Sequence, residues 1–249
     1  IIFALSLSIE YLNFDLKILA FVMKVINYLL KLNASPRLRL KFNYSLSTLL
    51  VFHLFIVPFL PFRQHELVFT LLTTLIYFNL LFVINVYRQH LLGYVFVFLI
   101  MEWVFFMLKM RVLSNISSVA NIFLFLIIIY VFMSNLARAK KVDSTIMIQA
   151  INGYLLLGVI SGIGVSLMMQ ANDASFNFPS NLTDADKFYR LCEYQYYGLV
   201  SMTTLGYGEI TPQTPQARSL ATLITIVGQL YLAFIVAMLV GKYSSQKAE

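Results

Sequence analysis

The chain has 249 residues, 60% of them hydrophobic and only 12% charged, with a mean hydropathy of +0.80. A soluble domain carries about 25% charged residues, so this composition excludes an ordinary soluble fold and points to a membrane protein. The net charge of +7 does not single out nucleic acid, because the basic residues stand at the ends of apolar runs, as the excess of Lys and Arg on cytoplasmic loops requires; a single cysteine excludes a disulfide framework within one chain.

Residues 1–36 are apolar yet carry Glu10, Asn13, Lys17, Lys24, Asn27 and Lys31 at helical spacing, opposite Leu12, Leu16, Leu19, Val22, Ile26 and Leu30. This pattern predicts an amphipathic helix lying in the membrane interface and ended by Pro36. A span over 1–22 is the competing reading, burdened by Glu10, Asp15 and Lys17, which are costly at mid-bilayer.

A bilayer core needs about 20 mostly apolar helical residues. Six runs qualify, at 45–62, 66–87, 91–108, 114–137, 144–170 and 216–243. Arg37, Arg39, Lys41, Arg88, Arg138, Lys140, Lys141, Lys242 and Lys247 then fall on one side, which predicts six crossings with both termini cytoplasmic. Lys109 and Arg111 run mildly against that bias.

His53 lies near the middle of the first run and Glu102 inside the third. Antiparallel spans place them at comparable depth, where they can pair. An ionisable residue at this depth is a functional candidate: either a proton-sensing pair, or a neutral His and a hydrogen-bonded Glu filling a polar spot. Asn79, Asn85, Asn115 and Asn121 read as hydrogen-bond donors and acceptors between helices. The fourth run contains no Arg or Lys between residues 112 and 137. A voltage sensor needs charges there, each worth about 2.3 kcal/mol per 100 mV, so little or no intrinsic voltage sensing is expected. Gly153, Gly158, Gly162 and Gly164 in the fifth run read as points of close helix contact.

Between the fifth and sixth runs come a polar loop, which holds the tripeptide "NLT" at 181–183, an amphipathic segment at 188–202 with Asp184 or Asp186 as its N-cap, and then "TTLGYGE" at 203–209. Non-helical backbone at membrane depth is tolerated where it lines water or is buried in protein. Stripping water from a cation takes a ring of oxygens. A strand whose successive carbonyls point one way supplies them, provided Gly206 and Gly208 adopt backbone conformations closed to other residues. Thr204 can add its hydroxyl, and Tyr207 points away to prop the loop.

The segment resembles the pore of the potassium-channel family, whose Thr-Val-Gly-Tyr-Gly filter surrounds one axis in four copies. Here it reads Thr204-Leu205-Gly206-Tyr207-Gly208, and "VSMTTLGYGE" at 200–209 is similar to voltage-gated members nearly residue for residue. The resemblance implies K+ held at Thr204, Leu205, Gly206 and Tyr207. It implies filter support from Thr203, Val200, Glu209 (usually Asp) and the aromatic pair Tyr196 and Tyr197 (usually Trp). The last run is similar to the inner helix of small prokaryotic potassium channels and places Gly228 at their hinge position. Thr225, Gln229, Leu232, Val236 and Val240 share one helical face, expected to line the cavity; the alternative for Gln229 is a hydrogen bond to the pore helix.

The expected fold class is an all-α membrane protein. An interfacial helix at 1–36 is followed by a four-helix domain at 37–143 and a pore domain at 144–249 with a re-entrant pore helix. The expected function is a homotetrameric potassium-selective channel of the cell membrane. The alternatives are a weakly selective cation channel, with Leu205 and Glu209 loosening the filter, or a non-conducting regulatory subunit. Metal-ligand clusters, nucleophile–base pairs and phosphate loops are not evident, so no enzyme, resident cofactor, nucleic acid or small-molecule substrate is expected. The expected partners are lipid and further copies of the chain.

Overall fold

In the computed structural model the described residues are 36–59, 65–83, 111–139, 141–178 and 187–247. They form six α-helices: α1 (Pro36–Val51), α2 (His65–Val83), α3 (Arg111–Arg138), α4 (Ser144–Ala171), α5 (Lys187–Met202) and α6 (Pro215–Lys247). Short π and 3-10 turns, Phe52–Ile56 and Val57–Phe59, extend α1. Among the described residues, four helical segments are long and apolar enough to cross a bilayer: Arg37–Phe59, Asn115–Arg138, Ser144–Ala171 and Pro215–Lys242. In α2 the apolar stretch is the shorter Leu71–Leu80. The expected run at 91–108 and the expected interfacial helix lie outside the described residues.

Pro36 corrects one expectation. It opens α1, which therefore begins about two and a half turns before Ser45 in the sequence; what precedes it lies outside the described residues. Proline suits the first helical position, where its missing N–H has no intrahelical partner to lose. Arg37, Arg39 and Lys41 are therefore helical.

The helix α4 is the hub, contacting α1, α3, α5 and α6. Asp143 caps it, its Oδ1 accepting from the Ile146 N–H at 2.9 Å. Gly153, Gly158 and Gly162 let neighbours close in, as expected, whereas Leu220 stays at ordinary contact distance from Gly164. A Cβ at Gly158 would meet Leu199 of α5, and one at Gly162 would come within 2.9 Å of the Gln195 backbone. At Gly153 the neighbour is the Tyr231 ring of α6, whose hydroxyl donates to the Ala150 carbonyl at 2.9 Å. The core continues through Leu46 and Leu50 of α1, Tyr77 and Leu80 of α2, and Ile128 and Phe132 of α3. The Tyr77 hydroxyl donates to Asn121 between α2 and α3, the interhelical bond expected of Asn121. Asn79 instead bonds within its own helix, to the Leu75 carbonyl at 2.8 Å. Asn152, not singled out from sequence, donates across to the Asn43 carbonyl of α1 at 3.0 Å.

Candidate functional site

The helix α5 starts at Lys187 and ends at Met202, where the backbone leaves helical geometry at Thr203. The next residues satisfy its last carbonyls, which a helix end otherwise leaves orphaned. Thr203 N–H donates to Leu199, Thr204 N–H to Ser201, and both Leu205 and Gly206 N–H to Val200, at 3.0 to 3.3 Å. The Thr203 hydroxyl adds bonds to the Leu199 and Val200 carbonyls at 2.8 and 3.2 Å. Thr203 and Val200 thus anchor the turn on the helix.

Beyond that anchor, φ is +61° at Thr204, +52° at Gly206 and +88° at Gly208. Alternating positive and negative φ turns successive carbonyls toward one side, where an extended strand would alternate them. Glycine takes this region freely. A β-branched threonine does so only under strain, which folded chains retain mainly at functional sites. Residues Thr203 to Glu209 are all exposed in the single chain, Tyr207 at 68%. Tyr207 therefore does not prop the loop from within its own chain.

The aromatic pair divides. Tyr197 is buried and packs edge-on against Phe176, ring centroids 4.9 Å apart. Tyr196 is exposed and directed at Glu209, whose carboxylate, as hydrogen-bond acceptor, is the main cause raising the phenol's pKa. Partial burial and then the Glu209 charge raise the Glu193 carboxyl. After the turn the chain is clipped to the segment that follows the C-terminal end of α4. Phe176 and Pro212 form an antiparallel bridge, Gln213 N–H donates to Ser175 at 2.8 Å and Asn177 N–H to Thr211 at 3.1 Å. Asp184 and Asp186, the expected caps of α5, lie outside the described residues. Cys192 is half-buried beside Val57 and Leu72, a packing position as expected.

In α6 the buried positions are Ala217, Ile224, Gly228 and Tyr231. The helix runs unbroken through Gly228, where a Cβ would lie 2.6 Å from the Met202 carbonyl oxygen. Gly228 is thus the point where α6 crosses the end of α5. Thr225, half-buried, donates to the Ser201 and Ala221 carbonyls at 3.2 and 3.0 Å. Gln229, Leu232, Val236 and Val240 are exposed, continuous with exposed Leu223, Ile226, Leu230 and Phe234.

His53 is buried in the π turn, and its Nε2 accepts from the Gln195 amide of α5 at 2.9 Å. Glu102, its expected partner, lies outside the described residues. The sequence reading missed Gln195; its signal was a polar residue facing Gly162. Changing His53 to Phe leaves the buried amide without this acceptor and is expected to cost about 1–3 kcal/mol, read as a lower thermal midpoint in detergent. The double variant with Gln195→Leu should recover most of that loss. Additive losses would show that the bond contributes nothing.

Neither the curated proteins nor the solved structures give a match to this chain. Residues 145–244, which hold α4, α5, the turn and most of α6, match the family described as ion channel, so this part of the chain is similar to that family.

Proposed function

We propose that the protein is one subunit of a homotetrameric, potassium-selective channel of the cell membrane, with six spans and cytoplasmic termini. The filter is Thr204–Leu205–Gly206–Tyr207–Gly208, with K+ on the oxygens of Thr204 to Tyr207. The observation that carries this reading is the alternation of positive φ at residues 204, 206 and 208 in a turn seated on the end of α5. One chain supplies one such row of carbonyls, and removing water from a cation needs several around it. Four copies complete the ring. They also cover Tyr207 and part of the apolar face of α6, with lipid on the remainder. Thr225, Gln229, Leu232 and Val236 face the cavity below, into which the C-terminal end of α5 directs partial negative charge. Because α3 carries its arginines only at its two ends, Arg111 and Arg138, the domain at 37–143 senses voltage weakly or not at all.

The test is flux from liposomes containing the purified protein. The expected result is potassium flux that exceeds sodium flux at least tenfold, is blocked by barium, and varies little with voltage. Equal sodium and potassium flux would overturn the selectivity. No flux under any pH or voltage would overturn the channel reading, and a steep voltage dependence with several gating charges would overturn the account of α3.

A further inference from the structure

A cleft of about 330 Å³ opens where the start of α1, the end of α3 and the start of α4 meet. Arg39 of α1 and Arg138 of α3 bring two guanidinium groups to its wall, with Gln149 of α4 behind them. Gln149 is 2% exposed. Its Oε1 accepts from Asn135 at 3.2 Å, but among the described residues its Nε2 has no acceptor, and neither has the buried Nε of Arg39. Buried donors are rarely left unpaired, least of all on a charged group. Two of them converging on one cleft mark the place of an absent acceptor.

The charge in the wall says which kind. Among the described residues Asp143 is the one acidic group lining the cleft against two arginines, and its Oδ1 is engaged by the Ile146 N–H. The N-terminus of α4 adds partial positive charge from the same side. We propose that this cleft binds a phosphate-bearing anion. Arginine forks bind phosphate oxygens in pairs, and the Gln149 amide gives a neutral donor to a third. The volume accommodates a phosphate with its first ester carbons. The basic flanks place the cleft at the cytoplasmic leaflet, where the source is an anionic lipid headgroup or a free phosphate.

The cleft shares a wall with the end of α6. Lys242 Nζ donates to the carbonyls of Leu136, Ala137 (2.8 Å) and Ala139, and Ala139 itself lines the cleft. An anion bound to Arg138 therefore acts on the same stretch of chain that holds the last turns of α6. Binding itself rests on the cleft alone; any effect on flux rests on the channel reading.

Native mass spectrometry of the full chain, with phosphatidylglycerol, phosphatidylcholine and inorganic phosphate as probes, tests this without requiring conduction. The expected result is retention of phosphatidylglycerol, at least tenfold reduced when Arg39 and Arg138 are both changed to Gln. It should fall similarly with Gln149→Glu, which keeps the side chain's size and reverses its character. Arg138→Lys should keep partial binding, which separates lost charge from lost folding. Retention of inorganic phosphate with the same variant pattern would support the site and assign it to free phosphate. Equal retention of phosphatidylcholine, or undiminished binding in both the double variant and Gln149→Glu, would overturn it.

Discussion

Gly228→Ala is expected to reduce potassium flux at least tenfold and to lower the thermal midpoint of the assembled protein. The added Cβ would lie 2.3 Å from Met202 Cγ and 2.6 Å from the Met202 carbonyl oxygen. The thioether can swing aside. The carbonyl cannot, because it belongs to the end of α5 from which the turn at 203–209 hangs. Alanine in a helix interior gains about 1 kcal/mol over glycine, while forcing atoms into a packed contact costs about 1–3 kcal/mol. Overpacking wins, and the shift it forces is delivered directly to the turn at 203–209. A pure hinge would give a different result, with an intact thermal midpoint and only the opening altered. Measuring flux and midpoint on the same variant separates the two, and wild-type values for both would remove the contact from the account.

Gly206→Ala should behave in the opposite way, abolishing flux while leaving the fold almost untouched. Nothing lies within 4 Å of a Cβ at this position, so there is no clash inside the chain. The cost is conformational. At φ +52° an L-residue pays about 1–2 kcal/mol, and relaxing to negative φ turns the Leu205 carbonyl away from its row. A loss of at least a hundredfold in potassium flux is expected, with a midpoint within a few degrees of the unmodified chain. Leu205→Val is the control: the side chain changes, the carbonyl does not, and conduction should persist. Conduction by Gly206→Ala at a comparable rate would remove the turn from the permeation path.

The positions of α3 to α6 were legible in the sequence because each is an uninterrupted apolar or amphipathic run with strong boundaries: Asp143 before α4, Asn172 after it, and the Thr-Pro before α6. The turn at 203–209 was legible because its two glycines sit where the backbone needs positive φ. The start of α1 was not, since Pro36 can close one helix or open the next and local sequence does not distinguish the two. The partner of His53 was not legible either. Hydropathy orders residues by depth, and at one depth a buried imidazole can turn toward any neighbouring helix. Choosing Gln195 required the packing of α1 against the side of α4 that Gly158 and Gly162 leave open. Arg39 and Arg138 were read only as basic flanks and Gln149 was not singled out, because their convergence depends on how three helix ends meet.

The bridge between Phe176 and Pro212 makes the intervening chain a loop closed at its base. The turn at 203–209 is hung from the far end of that loop by α5 and pinned at the near end by Thr211 and Gln213. Its position against α4 is therefore set by two fixed points, not by the length of chain between them. Lengthening a closed loop costs little, about 0.6 kcal/mol per doubling. The segment at 179–186 can thus gain or lose residues over evolutionary time while the turn at 203–209 keeps its register.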